Sequence, residues 1–141
     1  MGAEIERLVL DFVHAAYGED MDVDAMTALM ADDFVWQLSV PRSPVIKGRD
    51  AARAELEKHN TLSSGMVKGS EIRTVVSDDH TVVVERVDVN RVGETLLTFH
   101  VTSFFEVRDG AIAGWREYWD TGDIAQQLGI DASQIFAPLT D

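Results

Sequence analysis

Three observations predict an α+β fold. Apolar residues recur at helical spacing through the first third of the chain, the period changes to two from Glu71 onward, and Asp109-Gly110 separates the last two alternating runs. Helices that precede a run of antiparallel strands pack together on one face of the sheet those strands form. Taken in order, Ile5, Leu8, Val9, Phe12, Val13 and Ala16 make one helical stripe that Gly18 stops. Val23, Met26, Leu29 and Met30 are the stripe of a second, short helix. Asp32-Asp33 introduces a strand over residues 34–39 with Phe34, Trp36 and Leu38 on one face, and Pro41 and Pro44 end it. A third helix covers residues 48–58, with Asp50 as its cap. Strands follow over residues 71–76, 81–90, 95–107 and 111–119, then a short helix over 123–128 and an irregular tail over 132–141.

A single domain, 1–141, is expected, because 141 residues with 45% hydrophobic content can bury a core without crosslinks. The chain has no cysteine, which removes thiol nucleophiles and thiolate ligands and fits a reducing compartment. Residues 1–7 are polar and no apolar run is long enough to span a membrane, so a soluble, cytoplasmic protein is expected. A formal charge of −13 with three lysines argues against nucleic acid as a partner. His14, His59, His80 and His100 have no ligand spacing, Asp20, Asp22 and Asp24 lack the later glutamate of a calcium loop, and the glycines form no phosphate cradle. No metal or cofactor is expected.

Charge appears where core is expected. Arg86 and Asp88 share a strand face with Val82 and Val84, so the core side of the sheet also carries an ionised pair. A two-residue turn at Asp109-Gly110 pairs Arg108 with Ala111, and counting back sets Asp120 opposite Phe99. A turn at Val92-Gly93 pairs Arg91 with Glu94 and therefore Arg86 with Phe99. Arg86, Phe99 and Asp120 then form one row, its outer members about 10 Å apart at the backbone. One extra residue in the first turn would flip the register and scatter the row. Glu85 and Glu117 alternate away from it. The opposite face carries Val83, Val87, Phe104, Trp115 and Trp119, more apolar surface than solvent tolerates, which predicts a homodimer through that face. Spacing alone leaves three readings of the trio open: a buried network that fixes register, exposed ladder charges, or a reactive site.

The order of elements, with residues 29–35 and Gly48-Arg49-Asp50-Ala51, resembles the NTF2-like and SnoaL-like superfamily. The resemblance implies a cone-shaped barrel, a curved mixed sheet with N-terminal helices covering a deep apolar pocket. More narrowly, Glu85-Arg86-Val87-Asp88-Val89, Phe105-Glu106-Val107-Arg108-Asp109-Gly110 and Trp115-Arg116-Glu117-Tyr118-Trp119-Asp120 are similar to the limonene-1,2-epoxide hydrolase family, with a likeness that covers roughly residues 5–128. That resemblance implies one-step addition of water to a small apolar epoxide, without cofactor or covalent intermediate. Asp120 would deprotonate water, Asp88 would protonate the epoxide oxygen and Arg86 would join them, with Trp36, Leu38, Phe99 and Tyr118 against the substrate. Trp36 and Leu38 stand where the family has a tyrosine and an asparagine that hold the water, and Gln37 or Ser39 would serve instead if the strand is bulged. Two other functions fit the same fold. One is a ketosteroid-isomerase-like proton shuttle, disfavoured because its early-strand carboxylate falls near Leu38; the other is a catalytically silent domain that binds an apolar ligand.

Overall fold

The computed structural model describes residues 2–18, 20–62, 67–92 and 94–136. Helix α1 spans Gly2–Tyr17 and α2 spans Val23–Ala28; strands β1 (Met30–Gln37) and β2 (Val45–Lys47) lead into α3 (Arg49–Leu62). Strands β3 (Val67–Ser77), β4 (Thr81–Val92), β5 (Thr95–Arg108) and β6 (Ala111–Tyr118) follow, then α4 (Thr121–Leu128) and a 3₁₀ turn over Ala132–Gln134. The six strands form one mixed sheet in the order β2-β1-β6-β5-β4-β3. Among the described residues only β1 and β6 run parallel, and the sheet stays open, with β2 and β3 as its edges. The short strand β2 was not foreseen. Asp50 lies inside the first turn of α3 instead of capping it, and Gly48 accepts the first helical hydrogen bond there, from Ala52.

The α1 stripe lands on the sheet as its spacing requires. Val9, Phe12, Val13 and Ala16 are buried, and Phe12 meets Phe34, Phe105 and Trp115 with ring centroids 6.4, 5.8 and 5.1 Å away. Edge-on contacts of this kind suit aromatic quadrupoles. Trp36 stacks on Trp115 at 4.9 Å, joining β1 to β6 across their parallel seam.

Register decides which charges face inward. The β4/β5 hairpin pairs Val92 with Thr95, so Arg86 lies opposite Val101 and Asp88 opposite Phe99. This is two residues from the expected pairing of Arg86 with Phe99. An even shift keeps every side chain on its expected face. Gly93, in the turn expected there, lies outside the described residues. The β5/β6 turn is the expected one, with Asp109 and Gly110 both at positive φ and Arg108 opposite Ala111. Two residues later, Val107 faces Ile112 while Glu106 faces Gly114, leaving Ala113 as an extra residue. This bulge is an odd shift, so it inverts the remainder of β6.

Trp115 and Glu117 therefore turn inward, at 2% and 3% exposure, against the expectation that both face out. Tyr118 turns outward against Phe104, with ring centroids 5.7 Å apart. Removing the Phe12 ring should leave a cavity at the centre of this aromatic cluster. Phe12→Ala is expected to lose about 3–5 kcal/mol of stability, measured by urea denaturation.

Candidate active site

The helices and the sheet enclose a cavity of about 380 Å³. Its walls are mostly apolar: Met21 from the connection between α1 and α2, Met26 from α2, Trp36 and Leu38 from β1 and its end, Leu56 from α3, Phe99 and Val101 from β5, and Trp119 beyond β6. Ile124 and Leu128 of α4, with Ile135 and Phe136, complete the wall. Two carboxylates, Asp88 and Glu117, break this apolar lining. Each arrives from a strand face that is core nearby, Val82 and Val84 beyond Arg86 on β4 and Trp115 on β6.

Arg86 holds both carboxylates and is itself only 1% exposed. Its Nε donates to Asp88 Oδ1 and Oδ2 at 3.1 and 3.0 Å, and its Nη2 donates to Glu117 Oε2 at 2.5 Å. Nη1 donates to the Ser103 hydroxyl at 2.5 Å, and Nη2 also reaches the Tyr17 hydroxyl at 2.8 Å. The Tyr17 ring lies over the guanidinium, 4.5 Å from ring centroid to Cζ. Glu117 gathers further donors at 3.4 Å each: Trp36 Nε1 on Oε1, and the Tyr17 and Ser103 hydroxyls on Oε2. A planar guanidinium can serve two carboxylates on different edges at once, which an ammonium cannot.

Burial pushes the Asp88 carboxyl above its ordinary value, and Arg86 only partly opposes this. Burial does the same to Glu117, against the pull of Arg86 and with added repulsion from Asp88. Burial also works against the Arg86 charge, but Tyr17, Glu117 and Asp88 together outweigh it and raise its proton affinity. The guanidinium stays charged. With one positive group and two carboxyls in an apolar cavity, one shared proton makes the cluster neutral, and this is the state burial favours.

The structure brings Arg86 and Asp88 together as expected and does not bring Asp120 to them. Asp120 is exposed and caps α4, accepting from the backbone N–H groups of Gly122 and Asp123 at 2.8 and 3.2 Å. The Ala113 bulge is the reason, since it turns the odd-numbered positions of β6, Glu117 among them, inward, where an unbroken ladder would have turned the even-numbered series that includes Asp120. Trp36, Leu38 and Phe99 line the cavity, whereas Tyr118 is 41% exposed on the other face. Trp119, expected on the outer face, lines the cavity and donates its Nε1 to the Leu38 carbonyl at 2.8 Å. Gln37 and Ser39 serve the turn after β1: Gln37 Nε2 donates to the Ser43 carbonyl, and the Ser39 backbone N–H donates to Ser43 Oγ. Tyr17 and Glu117 are the site residues that sequence reasoning missed. Both had a signal: Tyr17 follows Val13 by four residues on the buried face of α1, and Gly114 inside a strand marks a bulge.

An open mixed sheet closed over by helices, with a buried carboxylate-arginine-carboxylate cluster beside an apolar cavity, is the architecture of an NTF2-like domain. The profile of the limonene-1,2-epoxide hydrolase catalytic domain matches residues 3–129. The chain belongs to the limonene-1,2-epoxide hydrolase family. It is 30% identical over 117 residues to epoxide hydrolase EphG of Mycobacterium tuberculosis, covering 83% of this chain and 74% of that protein. Its fold matches the structure of an M. tuberculosis epoxide hydrolase of the same type, with a TM-score of 0.75, 32% identity and 90% of each chain covered. SalBIII, an epoxide hydrolase/cyclase-like enzyme of pyran ring formation in salinomycin, shares the fold at a TM-score of 0.72 and 18% identity, over 86% of this chain and 94% of its own.

A carboxyl with a higher proton affinity in the folded state stabilises the fold below its unfolded pKa, and that contribution is lost as pH rises. Asp88 and Glu117 are both shifted in this direction. Their contribution to stability should therefore fall as pH rises from about 4 towards 7. Urea denaturation across that range should show a shallower fall in the double variant Asp88→Asn/Glu117→Gln than in the wild type.

Proposed function

We propose that the chain is an epoxide hydrolase in which Glu117 activates water, Asp88 protonates the epoxide oxygen and Arg86 holds both. The observation that carries this reading is the single buried guanidinium joined to two carboxyls that both face one apolar cavity. The division of labour follows from donors. Glu117 is reached by four donor groups, whereas Asp88 has two, the Arg86 Nε edge and the Ser70 hydroxyl. Donors stabilise the ionised form, so the shared proton rests on Asp88 and Glu117 is the base.

The reaction then balances. Water oxygen forms a bond to one epoxide carbon while Glu117 takes a proton from the water. The C–O bond of the ring breaks, and its oxygen takes the proton of Asp88, giving a vicinal diol. Return of one proton from Glu117 to Asp88 restores the starting state. The apolar walls suit a small apolar epoxide and exclude bulk water from the ring. A domain that only binds an apolar ligand needs such a cluster only to tie its strands, and that purpose does not call for two carboxyls facing the cavity. A ketosteroid-isomerase-like shuttle would have no use for a second carboxyl on the same arginine.

Glu117→Gln should fold and lose about 10²–10⁴-fold in diol formation, the usual range for a removed general base. Asp120→Ala should keep its turnover and lose only the helix cap, about 1 kcal/mol. A panel of terpene and aryl epoxides, assayed for diols beside the thermal midpoint of each variant, checks both. Loss of turnover in Asp120→Ala with turnover intact in Glu117→Gln would return the base to Asp120.

A homodimer and a cytoplasmic location are part of the same proposal. The dimer is supported by Phe104 and the 41% exposed Tyr118 on the outer face of β5 and β6, and the location by the absence of cysteine. Sedimentation velocity at micromolar concentration should give twice the chain mass, and Phe104→Lys should give the monomer.

A further inference from the structure

A general base does not by itself hold the water it deprotonates, because the oxygen must also be aimed at the carbon it attacks. The groups around Glu117 can be sorted by what they offer such a water. Trp36 borders the cavity, but its indole nitrogen only donates and already points at Glu117 Oε1. Ser103 has 0% exposure, lies outside the cavity lining and is engaged with Arg86 and Glu117. Leu38 and Trp115, apolar members of the wall, offer no hydroxyl, and Asn90, whose amide could hold a water, stands two residues beyond Asp88 on β4, on the side of the acid.

Tyr17 differs from all of these. It borders the cavity, its hydroxyl oxygen accepts from Arg86 Nη2 at 2.8 Å, and it lies 3.4 Å from Glu117 Oε2. A phenol has one proton and two lone pairs, and Arg86 takes one lone pair, leaving a donor and an acceptor beside Glu117. Burial pushes this phenol well above its ordinary value, so it keeps its proton. A direct hydroxyl-to-carboxylate bond is ordinarily about 2.5–2.7 Å, so 3.4 Å is a loose contact that an added oxygen can replace on both sides. The ring is fixed by its place over the Arg86 guanidinium and by the buried α1 stripe behind it.

We propose that Tyr17 is the water-holding residue of this site, its hydroxyl donating to the oxygen of the water that Glu117 deprotonates. This assignment rests on the hydrolase reading with Glu117 as base. It places the second water contact on the N-terminal helix, while the sheet supplies the acid and the base. Tyr17→Phe tests it, since the ring and its position over Arg86 are kept and only the hydroxyl is lost.

The expected result is a kcat lower by about 10–100-fold, the scale of one misaimed reacting group, with KM for an apolar epoxide within about twofold because the wall is unchanged. In the free enzyme the hydroxyl also faces Glu117 Oε2, so the acidic limb of the kcat/KM profile, which reports that state, should move to higher pH. Asp88, Arg86 and His59, the other charged or titratable groups facing the cavity or its carboxylates, are common to both proteins, and comparison of the two profiles isolates the hydroxyl. Titration of ¹³C-labelled Glu117 by NMR reads the same coupling without turnover, and should also shift upward in Tyr17→Phe.

A lower thermal midpoint with kcat and the acidic limb unchanged means a structural tyrosine and overturns the assignment. An unmoved Glu117 titration also overturns it. A wild type that opens no epoxide in the panel would overturn the hydrolase reading, and the water-holding role with it. A wild type that turns over no faster than Tyr17→Phe overturns the Tyr17 assignment alone.

Discussion

One buried guanidinium organises the functional half of this protein. Arg86 sits among core residues of β4 with 1% exposure, a position that is unfavourable for a lone cation and tolerable only with anions on its edges. Asp88 meets it from the same strand, and Glu117 from β6, two strands away in the sheet. Because the three groups must meet, the relative positions of β4, β5 and β6 are tied together by charge as well as by the backbone ladder. Ser103 of the intervening strand and Tyr17 of α1 close the remaining edges of the guanidinium.

The same cluster joins structural cost to chemistry. A cavity apolar enough to take a hydrophobic substrate also penalises ionised carboxyls, and that penalty raises the proton affinity of both Asp88 and Glu117. Ordinary exposed carboxylates would both be charged at neutral pH and neither could serve as an acid. Here desolvation favours a proton held between the two carboxyls, and the arginine charge opposes it. The aromatic packing around the site has a matching role. Trp36 stacked on Trp115 holds the β1/β6 seam, and the Trp36 N–H is one of the donors that keep Glu117 in place.

Much of the fold was legible because its signals are local. The α1 stripe, the Asp109-Gly110 turn and the alternation of β4 each depend on neighbours a few residues apart, and each has the predicted form. Even the misplaced first hairpin did no harm to the faces of Arg86 and Asp88, because its error was two residues and side chains alternate with a period of two. The Ala113 bulge is different. A ladder counted without it carries an odd error through the rest of β6, which turns Trp115 and Glu117 outward and gives Asp120 an inward place it does not occupy. The small pair Ala113-Gly114 was the only local trace of it.

The sequence alone therefore determined the fold class, the helix faces, the pairing of Arg86 with Asp88 on the core side and the family resemblance, all of which rest on periodicity or on contiguous motifs. Tertiary structure decided the second carboxylate. Whether Glu117 or Asp120 reaches Arg86 depends on where one unpaired residue is inserted between β5 and β6, and the energy of that choice lies in burying Trp115 against Phe12 and Trp36. It also decided the part of Tyr17, which lies 69 positions from Arg86 in sequence. Contacts of that separation leave no periodic mark on the chain, because they are fixed by how helix and sheet pack and not by the spacing of either.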